Sequence, residues 1–98
     1  MVNREKNKYD QEILINQIEA FAKYLDVEKN YALNTISSYK RDLLKFLSFL
    51  RSRSISDWKL IDSDVLNIFV MELRHSNISG KSLKRYLSSI RVFFNYLI

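Results

Sequence analysis

Ser79-Gly-Lys-Ser-Leu-Lys-Arg-Tyr-Leu-Ser-Ser-Ile-Arg-Val-Phe-Phe-Asn-Tyr-Leu97 decides the fold, because at about 100° per residue its apolar and polar side chains separate onto two faces of one helix. Leu83, Leu87, Ile90, Phe94 and Leu97 fall within one narrow arc and are expected to be buried. Lys81, Arg85 and Ser88 point almost directly away from that arc, with Ser82 and Ser89 alongside. A helix of this kind needs neighbours to cover its apolar side.

Three further stretches with the same period supply them. From about residue 9 to 28, Leu14, Ile18, Phe21 and Leu25 recur at steps of four, three and four, giving one buried stripe. From about 34 to 53 the stripe is Ile36, Tyr39, Leu43, Phe46, Leu47 and Leu50. A third helix is expected to start at an Asp62 or Ser63 cap and to run to about Arg74, burying Leu66, Phe69, Val70 and Leu73. If Asp62 is the cap, Ile61 and Leu66 stand at the positions of a hydrophobic staple; Ser79, with Ile78 and Leu83, repeats the device on the fourth helix. Between helices two and three, Trp58 is expected to plug one end of the core. The first eight residues, Met1 to Lys8, are polar and unpatterned and read as a flexible tail before a domain of residues 9–98. With no proline and a single glycine, Gly80, the expected fold is all-α, a compact bundle of four helices.

Composition narrows the chemistry. Ninety-eight residues suffice for one hydrophobic core but not for a two-domain enzyme. The chain has no cysteine, which removes disulfides and thiolate metal sites, and its single histidine, His75, leaves a protein-only zinc site short of ligands. His75 reads as a polar residue near a helix end. No metal or cofactor is expected. Nor is a membrane partner, since no apolar run approaches the ~20 residues of a span, and a reducing cytoplasm fits this composition. Catalysis finds no footing either. The acids read as lying at caps or among lysines, and there is no glycine-rich phosphate loop, no Ser/His/Asp arrangement and no metal-ligand spacing.

Charge is distributed unevenly. The net charge is +5, yet residues 1–33 carry −1 and residues 34–98 carry +6. That asymmetry suits a polyanion, most often nucleic acid, although charge also serves solubility. The second helix sharpens the reading. Opposite its buried stripe stand Ser37, Arg41, Lys45 and Ser48, with Ser38 near the edge and Thr35 at the helix start. Ser37, Ser38, Ser48, Ser88 and Ser89 on the outward faces of two helices are not explained by helix propensity. Short hydroxyls let a helix approach a sugar-phosphate backbone and donate to it, while Arg and Lys neutralise phosphates or read guanine edges. The first helix presents the mixed charges Glu12, Glu19, Lys23, Asp26 and Glu28, a poor phosphate surface but a usable protein–protein one.

Two blocks of the chain also resemble a known family. Residues Phe21 to Leu50 contain Asn34-Thr35-x-x-x-Tyr39-x-x-Asp42-Leu43, similar to a hallmark of the N-terminal, SAM-like core-binding domain of tyrosine recombinases (the phage integrase family). Residues Ile78 to Leu97 contain Leu87-Ser88-x-x-Arg91-x-Phe93-Phe94, which resembles the closing helix of the same domain. With the third helix, the resemblance spans about residues 11 to 98. It looks closest to the Xer branch, for which the roughly ten residues before helix one also speak, and the Ser56-Asp57-Trp58 linker and Phe93-Phe94-x-x-Leu97 ending are more like its XerC type than XerD. Tyr86 stands where an arginine or similar polar residue is frequent in that family, and Ala32 replaces a common serine near the start of helix two.

The resemblance implies a function. The core-binding domain and a C-terminal catalytic domain would close as a clamp on double-stranded DNA, the former pressing helices two and four into the major groove. The implied contacts are Thr35, Ser37, Ser38 and Arg41 together with Lys81, Ser82, Arg85 and Ser89; periodicity adds Lys45 and Ser88. The catalytic tyrosine and its partners would lie in the C-terminal domain, so this stretch would grip DNA without itself cutting it. Helix one would meet the neighbouring protomer of a recombinase tetramer. The competing readings are a helical protein–protein interaction domain with solvated basic faces and a standalone DNA-binding regulator, for which the His75-to-Gly80 connection supplies no clear helix-turn-helix.

Overall fold

The computed structural model describes the backbone of residues 4–98 and the side chains of residues 12–98. Four α-helices account for most of it: α1, Arg4–Val27; α2, Leu33–Ser52; α3, Ser63–His75; and α4, Gly80–Leu97. A single 3-10 turn, Trp58–Leu60, interrupts the connection from α2 to α3, and there is no strand among the described residues. The architecture is the expected all-α bundle. Helix α1 starts at Arg4, so residues 4–8 of the expected tail are helical, and residues 1–3 lie outside the described part.

Local chemistry sets the helix ends. The Asp62 carboxylate accepts the Val65 N–H at 3.0 Å, and the Ser79 hydroxyl accepts the Ser82 N–H at 3.1 Å, so α3 and α4 begin at side-chain caps. In α2 the N-cap position is Ala32, whose side chain has nothing to offer the free N–H groups. Three connections leave their helices through left-handed residues, Asn30 (φ 53°), Ser54 (φ 59°) and Asn77 (φ 58°). Two are asparagines, the non-glycine residue best suited to that conformation. His75 is the exposed last residue of α3, beside Arg74, where cations complement the carbonyl end of the helix.

The core runs along α1, α2 and α4, with α3 laid against one side. Leu14, Ile18, Phe21 and Leu25 of α1 are all buried, as are Leu43, Phe46, Leu47, Phe49 and Leu50 of α2 and Phe69 and Leu73 of α3. Phe93 of α4 is the aromatic hub, with its ring centroid 5.2 Å from Phe21 and 5.0 Å from Trp58, both edge-on. Trp58 plugs the end of the core from its 3-10 turn, packing also on Phe94 and donating its indole N–H to Gln17 of α1. The staple residues Ile61, Leu66, Ile78 and Leu83 are half-buried against the same core.

One expectation about α4 is corrected. Its buried residues are Ser89, Ile90 and Phe93, while Leu87 is 38% exposed. The inward series is Leu83, Tyr86, Ile90, Phe93 and Leu97, turned by roughly 40° from the arc built on Leu87 and Phe94. Both series fit a helical period. The observed one places the Phe93 ring among Phe21 and Trp58 and brings Ser89 and Arg85 toward α2.

Candidate nucleic-acid interface

Helix α2 contains a single acidic residue, Asp42, and α4 contains none. Asp42 lies one position beside Leu43 and three after Tyr39, on the flank of the apolar stripe, and it is fully buried. A buried carboxylate is stable only when paired and hydrogen-bonded, and α4 supplies both needs. Arg85 donates from Nε to Asp42 Oδ2 and from Nη2 to Oδ1, each at 3.0 Å. Ser89 donates its hydroxyl to Oδ2 at 2.8 Å. The Arg85 carbonyl, 3.0 Å from the same Oγ, is a second possible acceptor, but the one hydroxyl hydrogen goes to the charged oxygen. Three donors therefore hold the carboxylate at the seam of α2 and α4.

The seam has a dry end and a wet end. Asp42 is inaccessible, whereas the Arg85 side chain is 43% exposed. The hydrogen bond to Asp42 raises the Arg85 pKa above that of an ordinary arginine; desolvation opposes the shift and the Asp42 charge adds to it. The guanidinium also lies 5.3 Å from the Tyr86 ring centroid, so Tyr86 shields one side of it.

Around this joint, the expected contact residues divide. Thr35, Ser37, Arg41, Lys45 and Lys81 are exposed, and Ser38, Ser82 and Ser88 are half-buried. Ser38, Arg41 and Lys45 sit four before, one before and three after Asp42, so they border the seam on α2. Lys81, Ser82 and Ser88 border Arg85 on α4 in the same way. Lys45 and Ser48 also edge a cleft of about 200 Å³ that reaches Glu72 of α3 and Ser76 just after it. Ser89 is corrected. It is fully buried and its hydroxyl is spent on Asp42, because the rotation of α4 carries it off the outward face and into the seam.

Asp42, quoted above only as part of the Asn34–Leu43 motif, is neither at a cap nor among surface lysines, where the acids of this chain are expected, but fully buried. Its signal was available: an acid on the shoulder of an apolar stripe needs a buried partner, and a cation with a hydroxyl four residues on, Arg85 and Ser89, offers one. The electrostatic result follows. Helices α2 and α4 each carry four Lys or Arg, and neither has a carboxylate at its surface. Lys40 is drawn to Glu19 of α1 at 2.7 Å, while Arg41, Lys45, Lys81 and Lys84 make no ion pair among the described residues. The remaining acids lie on α1, on α3 and in the connections from α1 to α2 and from α2 to α3.

The family model of the phage integrase N-terminal SAM-like domain matches residues 18–98. The chain belongs to that family. It is 36% identical over 81 residues to a tyrosine recombinase XerC of Pseudomonas aeruginosa, an alignment covering 83% of this chain and 27% of that protein. It is 32% identical over 80 residues to tyrosine recombinase XerC of Listeria welshimeri, covering 82% and 27%. The tyrosine recombinase XerC of Roseiflexus castenholzii is 32% identical over 81 residues, covering 83% and 26%. The chain thus spans about a quarter of the length of these relatives. No solved structure matches it.

Among the described residues, no three His, Cys, Asp or Glu side chains are grouped as metal ligands, and no helix is long and apolar enough to cross a membrane.

Proposed function

We propose that this chain is the DNA-gripping domain of a site-specific tyrosine recombinase, and that α2 and α4 form its duplex-facing surface. The observation that carries the reading is the burial of Asp42, which leaves two adjoining basic helices without a surface carboxylate. A phosphate approaching the seam meets Arg41 and Lys45 from α2 and Lys81 and Arg85 from α4. The hydroxyls of Thr35, Ser37, Ser38, Ser82 and Ser88 are short enough to donate to sugar-phosphate oxygens once the helices lie close. Arginine at this surface has a second use, since its fork matches the O6 and N7 acceptors of guanine in the major groove.

Strand cutting and rejoining belong, on this reading, to another part of the whole recombinase. Tyr24, Tyr39, Tyr86 and Tyr96 are packed against the core, and Tyr31 is 38% exposed. The mixed charges of α1 would serve protomer contacts in a recombinase tetramer. Reversing Glu19 on α1 and Glu28 just beyond its end should weaken synapsis in a full-length protein, and unchanged synapsis would remove this surface from that role.

The test of DNA gripping is a salt titration of duplex binding by the 98-residue chain beside an Arg41→Ala/Lys81→Ala variant. These two side chains are exposed and hold no internal structure together. Binding should weaken with a slope of about −0.9 per phosphate neutralised in log K against log salt, and the variant should lose affinity and about two contacts' worth of slope. If the variant binds as well as the parent chain, the basic faces are merely solvated and the interaction-domain reading replaces this one.

A further inference from the structure

We infer that Asp42 is a positioning residue for DNA recognition: by clasping the Nε–Nη2 edge of Arg85, it fixes the guanidinium at the α2–α4 seam with its outer N–H groups available to the duplex. The inference rests on the DNA-gripping reading and deepens it. An arginine carries five N–H donors in a planar fork. Two are committed to the carboxylate at 3.0 Å, and Ser89 holds that carboxylate from below at 2.8 Å. Beyond Asp42, Nη1 and the second hydrogen of Nη2 make no hydrogen bond among the described residues, though the Tyr86 hydroxyl is near enough to help raise the Arg85 pKa, and 43% of the side chain faces solvent. This is an end-on fork ready for a phosphate or a guanine edge.

Two costs of binding are thereby met in the free protein. A long, rotamer-rich side chain is already ordered, so DNA does not have to order it. The donors are also aimed before the ligand arrives, which a lysine at the same place would not achieve. The negative charge that does the aiming is inaccessible, so it opposes an incoming phosphate only through the guanidinium it neutralises in part.

The sign of one mutation separates this role from plain structural support. If Asp42 only holds the helices together, Asp42→Asn removes a negative charge near a polyanion and binding stays level or tightens. If Asp42 aims Arg85, the same change loosens the fork and binding weakens. The experiment is fluorescence anisotropy of a labelled duplex with the 98-residue chain, over a range of salt, at a temperature where circular dichroism shows each variant folded. Asp42→Asn should weaken binding about tenfold, equivalent to about 1.4 kcal/mol. Arg85→Lys retains a cation for the carboxylate, so the fold survives without the fork; it should weaken binding to a similar extent while keeping the salt slope. The two changes together should cost little more than either alone. Lys45→Ala/Lys81→Ala reports on the DNA reading separately. If that variant loses affinity while Asp42→Asn or Arg85→Lys binds as tightly as the parent chain, the positioning role is overturned and DNA gripping stands. If the parent chain shows no salt-dependent binding, both are overturned.

Discussion

Truncating Arg85 should destabilise the fold more than its half-exposed position suggests, because the damage falls on the partner it leaves behind. Arg85→Ala removes two charge-assisted hydrogen bonds of 3.0 Å from a carboxylate with no solvent access, leaving only the Ser89 hydroxyl. Breaking a buried ion pair from one side typically costs about 3–5 kcal/mol. Domains of this size have about 5–15 kcal/mol in total, so the variant would lose a large share of its stability. At about 4–8 °C per kcal/mol, the melting temperature should fall by more than about 12 °C. Asp42→Asn should be milder, because the guanidinium it releases is already 43% exposed and can rehydrate, and screening discounts its share of the pair to about 1–2 kcal/mol.

The decisive comparison is a second change made in the weakened background. In Asp42→Leu/Arg85→Ala, the isolated charge is gone and the leucine takes part of the volume vacated by the guanidinium, so the double variant should recover at least about 2 kcal/mol relative to Arg85→Ala. Urea denaturation followed by circular dichroism, with the slope checked for constancy, reads the differences directly. A loss below about 1 kcal/mol in Arg85→Ala would refute the reasoning, and so would a double variant no more stable than the single one. Either result would mean that water reaches Asp42.

Two further expectations concern other parts of the bundle. Ala32→Ser places a hydroxyl at the uncapped start of α2, where the backbone is already extended at φ −60° and ψ 144°; it should raise stability by about 0.5–1 kcal/mol in the same denaturation assay. The rotational phase of α4 is tested by a pair of truncations: Phe93→Ala should cost about 3–5 kcal/mol and Leu87→Ala less than about 1.5, whereas an arc that buried Leu87 and Phe94 would make the costs at 87 and 93 comparable.

The four helices and the starts of α3 and α4 were legible because they depend on neighbours in sequence, whereas α1 begins at Arg4, five residues before its apolar stripe suggests. Asp62 and Ser79 cap because their oxygens reach an N–H three residues on, whatever the rest of the chain does. The stripe of α1 was equally plain, with four apolar residues on one face and no competing alignment. The phase of α4 was not, since Leu83-Leu87-Ile90-Phe94 and Leu83-Tyr86-Ile90-Phe93 satisfy the same period. Choosing between them requires the shape of the partner surface. Phe93 fits edge-on between Phe21 and Trp58, residues 72 and 35 positions away in the chain, and no local pattern records that fit.

The same limit hid the centre of the candidate interface. An apolar-versus-polar reading sends every serine and aspartate outward, yet Asp42 and Ser89 are inside because they satisfy each other and Arg85 completes the set. This exchange matters for the surface as much as for the core. Left at the surface of α2, Asp42 would set a fixed negative charge beside Arg41 and Lys45 and oppose any phosphate that approached. Buried, it costs one arginine part of its charge and in return gives that arginine a direction. An unpaired cation at the seam would offer a stronger but unaimed attraction, which suits indiscriminate binding. On the proposed reading, a restrained guanidinium would hold duplex DNA in one register, and for that reason the change in affinity on neutralising Asp42 carries more information than the loss of any exposed lysine.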